Sequence, residues 1–259
     1  MADDVERIDP DEDSWQAFHA VHLARYRFAV EFLRAEGVKK VLDAACGVGY
    51  GTQFLATGLV DAAVLGVDIA PDAVARAQSR FPHPRATYLQ DDCHTLAAAA
   101  VHGPFDALVS FETMEHLPRA TEYLAACRAR LRDEGRFIVS TPNRAESPDR
   151  QWAHHFHEYM PTEFEATLKA AGFRDVELWG QALTPTGRFR QDIRAEANLV
   201  RANPLFRIGN WIQRLRGHRA GPALPAREED YCLGRIESTA ACEALGRSGP
   251  FVLLATARK

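Results

Sequence analysis

The chain has 259 residues, of which 46% are hydrophobic and 25% are charged, and its formal net charge is -4. This balance excludes a global attraction to nucleic acid or anionic membranes, and no apolar run approaches the roughly 20 residues needed to span a bilayer. The five cysteines are scattered and form no Cys-x-x-Cys pair, which argues against a disulfide framework or a thiolate zinc site and favours a reducing cytoplasm.

Residues 1–37 form an acidic tail followed by a predicted helix. The acidic tail is opposite in charge to a signal peptide, so we expect a soluble cytoplasmic protein without membrane contact. Apolar and aromatic residues then recur at spacings of three and four, which predicts one buried stripe of a helix that ends before Gly37. The stripe consists of Trp15, Phe18, His22, Tyr26, Ala29 and Leu33.

Strand-like and helical segments alternate through a predicted core domain of residues 38–180. Strands are predicted at 40–45, 64–68, 87–90, 105–111, 136–141 and 176–179, and helices at 52–57, 71–80, 119–132 and 161–172. A last strand lies in residues 250–259. The alternation predicts an α/β fold with a Rossmann-like, doubly wound, mostly parallel sheet of seven strands.

Residues 181–249 interrupt this rhythm between the last two predicted strands. The segment is rich in arginine, proline and glycine, and we interpret it as an inserted substrate or oligomer region. Its apolar residues match one helix face, which predicts an inserted helix rather than disorder. That face consists of Leu205, Ile208, Trp211, Ile212 and Leu215.

Residues 41–52 are the most informative stretch, an apolar strand that runs into a glycine-rich turn and then a helix. Glycines allow the backbone to approach a ligand closely, and the free N–H groups of a helix start attract an anionic group. The dinucleotide pattern Gly-x-Gly-x-x-Gly requires glycine at position 52, where threonine stands. Asp43 precedes the turn and suits a ligand with a positive amino group, such as S-adenosylmethionine.

Two further acidic positions follow the next strands. Asp68 ends the second strand about 20 residues after the turn, where a carboxylate can accept both ribose hydroxyl hydrogen bonds. Asp92 follows the third strand and is the candidate acceptor for the adenine amino group, while the backbone N–H of Cys93 can reach a ring nitrogen. The capping of turns and helices is the alternative role for these aspartates.

These motifs and the fourth-strand segment 105–111 resemble the class I S-adenosylmethionine-dependent methyltransferases over residues 38–142. The resemblance implies methyl transfer with S-adenosylmethionine as cofactor. Asp43 is assigned to its methionine end and the three glycines to close backbone approach. The predicted cofactor site consists of Asp43, Ala45, Gly47, Gly49, Gly51, Asp68, Ile69, Asp92, Cys93 and Phe111.

A second polar group directly follows the fourth strand, at the edge where open α/β sheets bind ligands. In a helical turn, Glu112, Glu115 and His116 would share one face. Two carboxylates and an imidazole are suitable ligands for Mg²⁺ or Mn²⁺, and His155 is a candidate fourth ligand. We predict Glu112, His116 and His155 as catalytic residues and all four as metal ligands.

This pattern is similar to two groups of metal-dependent O-methyltransferases, those of ubiquinone biosynthesis and the small-RNA 3′-end 2′-O-methyltransferases. The resemblance implies that these four residues activate a hydroxyl group. The later loop carries histidines at 154, 155 and 157, so which of them binds is left open. A metal-free general base at His116 and a purely structural role for the motif are the other interpretations.

The acceptor is less clearly indicated. Residues 22–29 are similar to methyltransferases of glycan or natural-product assembly, which implies a hydroxyl on a sugar or secondary metabolite; simple packing of this helix is the alternative. The arginine excess of 181–249 suits an anionic acceptor or an RNA end, but also a solvated helix or a homodimer contact. Because aromatic residues are not interleaved with the arginines, RNA is disfavoured. A small-molecule N-methyltransferase and a non-catalytic cofactor-binding protein are further alternatives.

Overall fold

The structure is a computed structural model that describes residues 15–149, 153–184, 230–245 and 249–259. The helices in these ranges are α1 (Trp15–Ala35), α2 (Tyr50–Gly58), α3 (Pro71–Arg80), α4 (Ala120–Arg130), α5 (Pro161–Ala170) and α6 (Thr239–Ala244), with short 3-10 helices at Ala99–His102 and Met114–His116. The strands are β1 (Lys40–Ala44), β2 (Ala63–Asp68), β3 (Ala86–Gln90), β4 (Phe105–Phe111), β5 (Leu131–Pro142), β6 (Arg174–Leu183), β7 (Tyr231–Arg235) and β8 (Val252–Arg258).

All these strands belong to one sheet, in the order β3-β2-β1-β4-β5-β8-β6-β7. Strands β1 to β5 are parallel, whereas β8 is antiparallel to both of its neighbours, β5 and β6, and β7 is antiparallel to β6. The chain winds outward from β1 to β3 and then returns to β4 on the other side of β1. This reversal makes a topological switch point beside β1, where ligands of open α/β sheets bind.

Helices cover both faces of the sheet because successive side chains of a strand point to opposite sides. Val41 of β1 packs in a cluster with Leu33 of α1 and residues of α2. The next residue, Leu42, packs on the other face in a cluster with Leu124 of α4 and residues of α5. All four of these side chains are fully buried. The predicted doubly wound α/β fold is therefore confirmed.

The sheet has eight strands rather than the predicted seven, because residues 231–235 add β7 at its edge. The side chains of β7 are half-buried or exposed, so its sequence lacks the buried face by which a strand is recognised. The predicted insertion 181–249 thus contributes to the sheet where it is described, since β6 continues to Leu183 and β7 and α6 follow. The predicted helix around Trp211 and the arginine-rich stretch lie outside the described residues.

The helix predicted to end before Gly37 is α1, and its stripe residues Tyr26, Ala29 and Leu33 are buried as expected. The side chains of residues 15–18 are not among those described. In the parts of the chain that the structure describes, no helix has the length and apolar character required to cross a membrane.

Candidate functional site

The glycine turn after β1 presents an open backbone surface at Gly47. Gly47 has a φ of +54°, which favours glycine, and a Cβ at this position would meet nothing within 4 Å. A ligand can therefore approach the backbone here. The same turn begins at Ala45, which also has a positive φ, and leads into α2 at Gly49.

The other two glycines of the turn are explained by packing within the protein. A Cβ at Gly49 would lie 2.5 Å from the Cβ of Ala77 in α3, and a Cβ at Gly51 would lie 2.0 Å from the ring of Tyr26 in α1. In the structure the lack of a Cβ at Gly51 allows α1 to pack closely on α2, and its predicted close approach to the cofactor stays a prediction. This packing depends on tertiary contacts that the local sequence does not contain.

Asp43 lies behind the glycine turn and is fully buried. Its carboxylate accepts hydrogen bonds from the hydroxyl groups of Thr52, at 2.6 Å, and Tyr26, at 3.3 Å. Burial raises the pKa of Asp43 to about 7, although both hydrogen bonds act in the opposite direction. Asp43 thus links β1 to α2 and α1, and its predicted contact with the methionine end of a cofactor stays a prediction.

Asp68 connects the glycine turn to the end of β2. Its Oδ2 accepts from the backbone N–H of Gly47, at 2.9 Å, and its Oδ1 accepts from that of Ala70, at 3.0 Å. Each carboxylate oxygen has a second lone pair, so Asp68 retains acceptor capacity for two hydroxyl groups. Beside it, the apolar side chain of Ile69 is 57% exposed and offers a surface to a flat ring.

The two aspartates after β3 have different roles. Asp91 is buried and accepts from the backbone N–H groups of Asp92 and Ala99, so it holds the local fold. Asp92 is 44% exposed in its side chain, and the backbone N–H of His94 lowers its pKa by donating to the carboxylate. This division supports Asp92 as the residue of the pair that is accessible to a ligand. Cys93 is buried, and burial raises the pKa of its thiol to about 12.

Arg25 of α1 is a candidate site residue that the sequence analysis missed. Its guanidinium is fully buried, donates to Gln181 and lies 5.9 Å from the centre of the Phe111 ring at the end of β4. Its Nε and Nη2 have no hydrogen-bond partner. A buried guanidinium with unpartnered nitrogens is suited to bind an anionic group of a ligand. The sequence feature that could have identified Arg25 is its position, because it lies three residues after His22 and four before Ala29, within the buried stripe of the helix.

The second polar group begins at Glu112, directly after β4. Glu112 has a φ of +51°, and its carboxylate accepts a hydrogen bond of 2.8 Å from the hydroxyl of Ser140 in β5. The following 3-10 helix, Met114–His116, does not include Glu112. As a result Glu112 is not part of the cluster formed by the other three predicted ligands.

Glu115, His116 and His155 come together as predicted, with one ligand atom from each lying within 4.8 Å of the others. Glu115 is fully buried, and its Oε1 has no hydrogen-bond partner and lies 3.9 Å from Nε2 of His116. Burial, followed by the nearby charge of Glu112, raises the pKa of Glu115 well above its usual value. A cation at this position would stabilise the ionised carboxylate.

The histidine loop is attached to the same residue. The backbone oxygen of Glu115 accepts from the N–H groups of Phe156, at 2.7 Å, and His157, at 3.3 Å. In turn the backbone oxygen of His154 lies 3.1 Å from Nδ1 of His116. A carbonyl oxygen can only accept, so Nδ1 of His116 carries a proton and Nε2 has the lone pair. Of the three loop histidines, only His155 joins the described cluster.

A family model described as a methyltransferase domain matches residues 41–135 of the chain. A ubiquinone biosynthesis O-methyltransferase of Xanthomonas axonopodis pv. citri (strain 306) is 30% identical over 200 residues, which cover 70% of this chain and 82% of the relative. This similarity therefore extends beyond the cofactor motifs.

Solved methyltransferase structures share the fold at low sequence identity. The methyltransferase domain of bacterial CtHen1 is 23% identical, with a TM-score of 0.51, over 61% of this chain and 88% of that domain. A S-adenosylmethionine-dependent methyltransferase of Thermotoga maritima, described as a possible histamine N-methyltransferase, is 11% identical, with a TM-score of 0.56, over 95% of both chains. At these identities the similarity concerns the fold alone.

Proposed function

Because the chain belongs to the class I S-adenosylmethionine-dependent methyltransferases, we propose that it transfers the methyl group to a hydroxyl of a small molecule with the help of a divalent metal. The observation that carries the proposal is the cluster of Glu115, His116 and His155, whose first member follows β4 and its last residue, the predicted cofactor residue Phe111. The name of the Xanthomonas relative supports an oxygen acceptor. A sugar or secondary metabolite remains our proposed acceptor class.

The described residues fit the parts of S-adenosylmethionine. Gly47 leaves its backbone open, Asp68 retains acceptor capacity for the ribose hydroxyls, and Asp92 is accessible for the adenine amino group. Arg25 supplies the buried donors that a methionine carboxylate requires. The cofactor supplies an activated methyl group on a sulfonium with a neutral leaving group, so the protein mainly has to align the acceptor.

The acceptor oxygen must lose its proton, because a neutral hydroxyl is a poor nucleophile. A metal at Glu115, His116 and His155 would lower the pKa of a coordinated hydroxyl and hold it in place. Two imidazole nitrogens and one carboxylate oxygen suit Mn²⁺ better than Mg²⁺, which prefers oxygen ligands. Glu112 is held by Ser140 and contributes its charge nearby rather than a ligand atom in this arrangement. Without a metal, Nε2 of His116 is the candidate base.

Calorimetric binding of S-adenosylhomocysteine to the wild type and Asp68→Ala, with the surface variant Asp61→Asn as control, tests the cofactor site. Transfer of labelled methyl is then measured with catechol, a free sugar and a simple amine, each with Mn²⁺ or with EDTA. We expect Mn²⁺-dependent labelling of a hydroxyl acceptor that Glu115→Gln loses. Labelling of the amine alone, or transfer that EDTA leaves intact, would contradict the proposal.

A further inference from the structure

Glu158 is a buried carboxylate that the sequence analysis did not assign to the site. Its Oε1 lies 2.7 Å from Nδ1 of His155, and the two side chains are 5% and 9% exposed. His157 of the same loop forms a second pair of this kind with Glu163 of α5, at 2.6 Å. That pair is 51% and 43% exposed, so water competes for its hydrogen bond. Only the buried pair includes a member of the Glu115 cluster.

The backbone around Glu158 is held by the sheet. Its neighbour Tyr159 is 4% exposed, forms a bridge to Asn143 at the end of β5 and accepts a backbone hydrogen bond of 3.1 Å from Arg144. The Tyr159 ring also packs on Phe164 of α5. Glu158 is therefore anchored independently of His155 and can hold the imidazole in place.

The contact with Glu158 also determines which ring nitrogen of His155 can bind a metal ion. When the Glu158 carboxylate accepts this hydrogen bond, Nδ1 of His155 carries the proton and the lone pair of the neutral imidazole lies on Nε2. His116 reaches the same tautomer through the backbone oxygen of His154. The two imidazole rings lie 4.7 Å apart, centre to centre, and each is oriented through its Nδ1. A carboxylate on the other nitrogen also increases the basicity of a ligating imidazole.

We propose that Glu158 is a positioning residue, which orients the imidazole of His155 and presents its Nε2 to a divalent cation at the Glu115 cluster. The inference rests on the metal assignment in the proposed function. It adds that the site depends on a residue that never contacts the cation. Among the histidines of the loop, this arrangement selects His155.

The test measures Mn²⁺ affinity of the full chain without cofactor or acceptor, from the electron paramagnetic resonance signal of free Mn²⁺. The variants are Glu158→Ala, Glu158→Gln and His155→Ala, and His157→Ala is the matched control that removes the exposed pair. Melting temperature and S-adenosylhomocysteine affinity report whether each variant is folded. We expect Glu158→Ala to weaken Mn²⁺ binding about 10- to 100-fold, as outer-shell substitutions do.

Glu158→Gln should bind Mn²⁺ with an affinity between those of the wild type and Glu158→Ala, because its amide oxygen can still accept from Nδ1 but carries no charge. His157→Ala should bind like the wild type. If both Glu158 variants bind like the wild type while His155→Ala is weakened, the positioning role is wrong and the metal assignment stands. If the wild type shows no saturable Mn²⁺ binding, both are wrong, whereas S-adenosylhomocysteine binding still supports methyl transfer. If Glu158→Ala does not fold, the test depends on Glu158→Gln. A wild-type Mn²⁺ affinity in that variant then refutes the positioning role of Glu158.

Discussion

Arg25 of α1 donates a hydrogen bond of 2.6 Å to the side-chain oxygen of Gln181 in β6, across 156 positions of the sequence. The amide nitrogen of Gln181 donates in turn to the backbone oxygen of Val21, at 2.9 Å, so both ends of the amide are attached to α1. Gln181 is fully buried. The guanidinium is thereby held beside Phe111 with two nitrogens available for an anion.

We expect Arg25→Lys to weaken binding of S-adenosylhomocysteine about 10-fold or more, because a charge-assisted hydrogen bond contributes roughly 1.5–3 kcal/mol. Methylthioadenosine, which lacks the amino-acid end, should bind the variant and the wild type equally. The measurement is calorimetric titration with both ligands. Arg27→Lys makes the same substitution on the exposed face of α1 and serves as control. An equal loss for both ligands would show that Arg25 does not contact the carboxylate.

Asp43 makes the free energy of unfolding depend on pH. Its pKa is raised from 3.8 to about 7 in the folded protein, so folding favours the protonated carboxyl. The stabilisation is fully present below pH 3.8 and is lost as the pH rises to 7, by roughly 4 kcal/mol at most. Asp43→Asn cannot ionise and should lack this loss. Urea unfolding of both proteins between pH 4 and 8 measures the difference, and parallel curves would contradict the prediction.

The glycines of the turn should separate stability from cofactor binding. Gly51→Ala places a methyl group against the Tyr26 ring and should destabilise the fold by roughly 1–3 kcal/mol. Gly47→Ala costs about 1 kcal/mol through its positive φ and also obstructs the open backbone, so it should weaken S-adenosylhomocysteine binding. Gly234→Ala is the control, since its Cβ meets nothing. Urea unfolding measures the stability of each variant, and calorimetry measures its affinity for S-adenosylhomocysteine. An unchanged affinity in Gly47→Ala would show that Gly47 is not part of the cofactor site.

Substitution of Asp91 should mainly lower the stability of the fold, whereas substitution of Asp92 should mainly weaken cofactor binding. Asp91→Ala removes the acceptor of two backbone N–H groups, and we expect a lower melting temperature, by roughly 2–6 °C. Asp92→Ala should mainly weaken S-adenosylhomocysteine binding, because its side chain is accessible. Thermal unfolding with and without the ligand measures both effects. The assignment fails if Asp91→Ala proves to be the variant with intact stability and lost affinity.

The cofactor half of the fold could be predicted because its signals are local. Strands β1, β2 and β4 are short apolar runs, and the acidic residues that end or follow β2 and β3 need no distant contact to be recognised. β7 could not be predicted, because an edge strand with an exposed side lacks the necessary pattern. The ends of α4 and α5 also differ from the predicted ends by one or two residues, because sequence signals locate a helix end only approximately.

The roles of individual site residues depended on contacts between distant segments. Position 51 requires glycine because the ring of Tyr26 in α1 packs against it. Glu112 is hydrogen-bonded to Ser140 of β5 and does not join its predicted partners. Arg25 was overlooked because its burial requires Gln181, which comes much later in the chain. Residue types and spacing therefore identify the kinds of group at a site, whereas the tertiary fold assigns each group its neighbour.

The position of β8 has a consequence for the order in which the protein matures during synthesis. β8 lies between β5 and β6 although it follows both in the chain, so β6 has no place in the sheet until residues 252–258 have left the ribosome. Gln181 lies in β6, and the brace on Arg25 therefore forms only then. A nascent chain can form its glycine turn early, but Gln181 can hold the Arg25 guanidinium in place only after β8 has been synthesised.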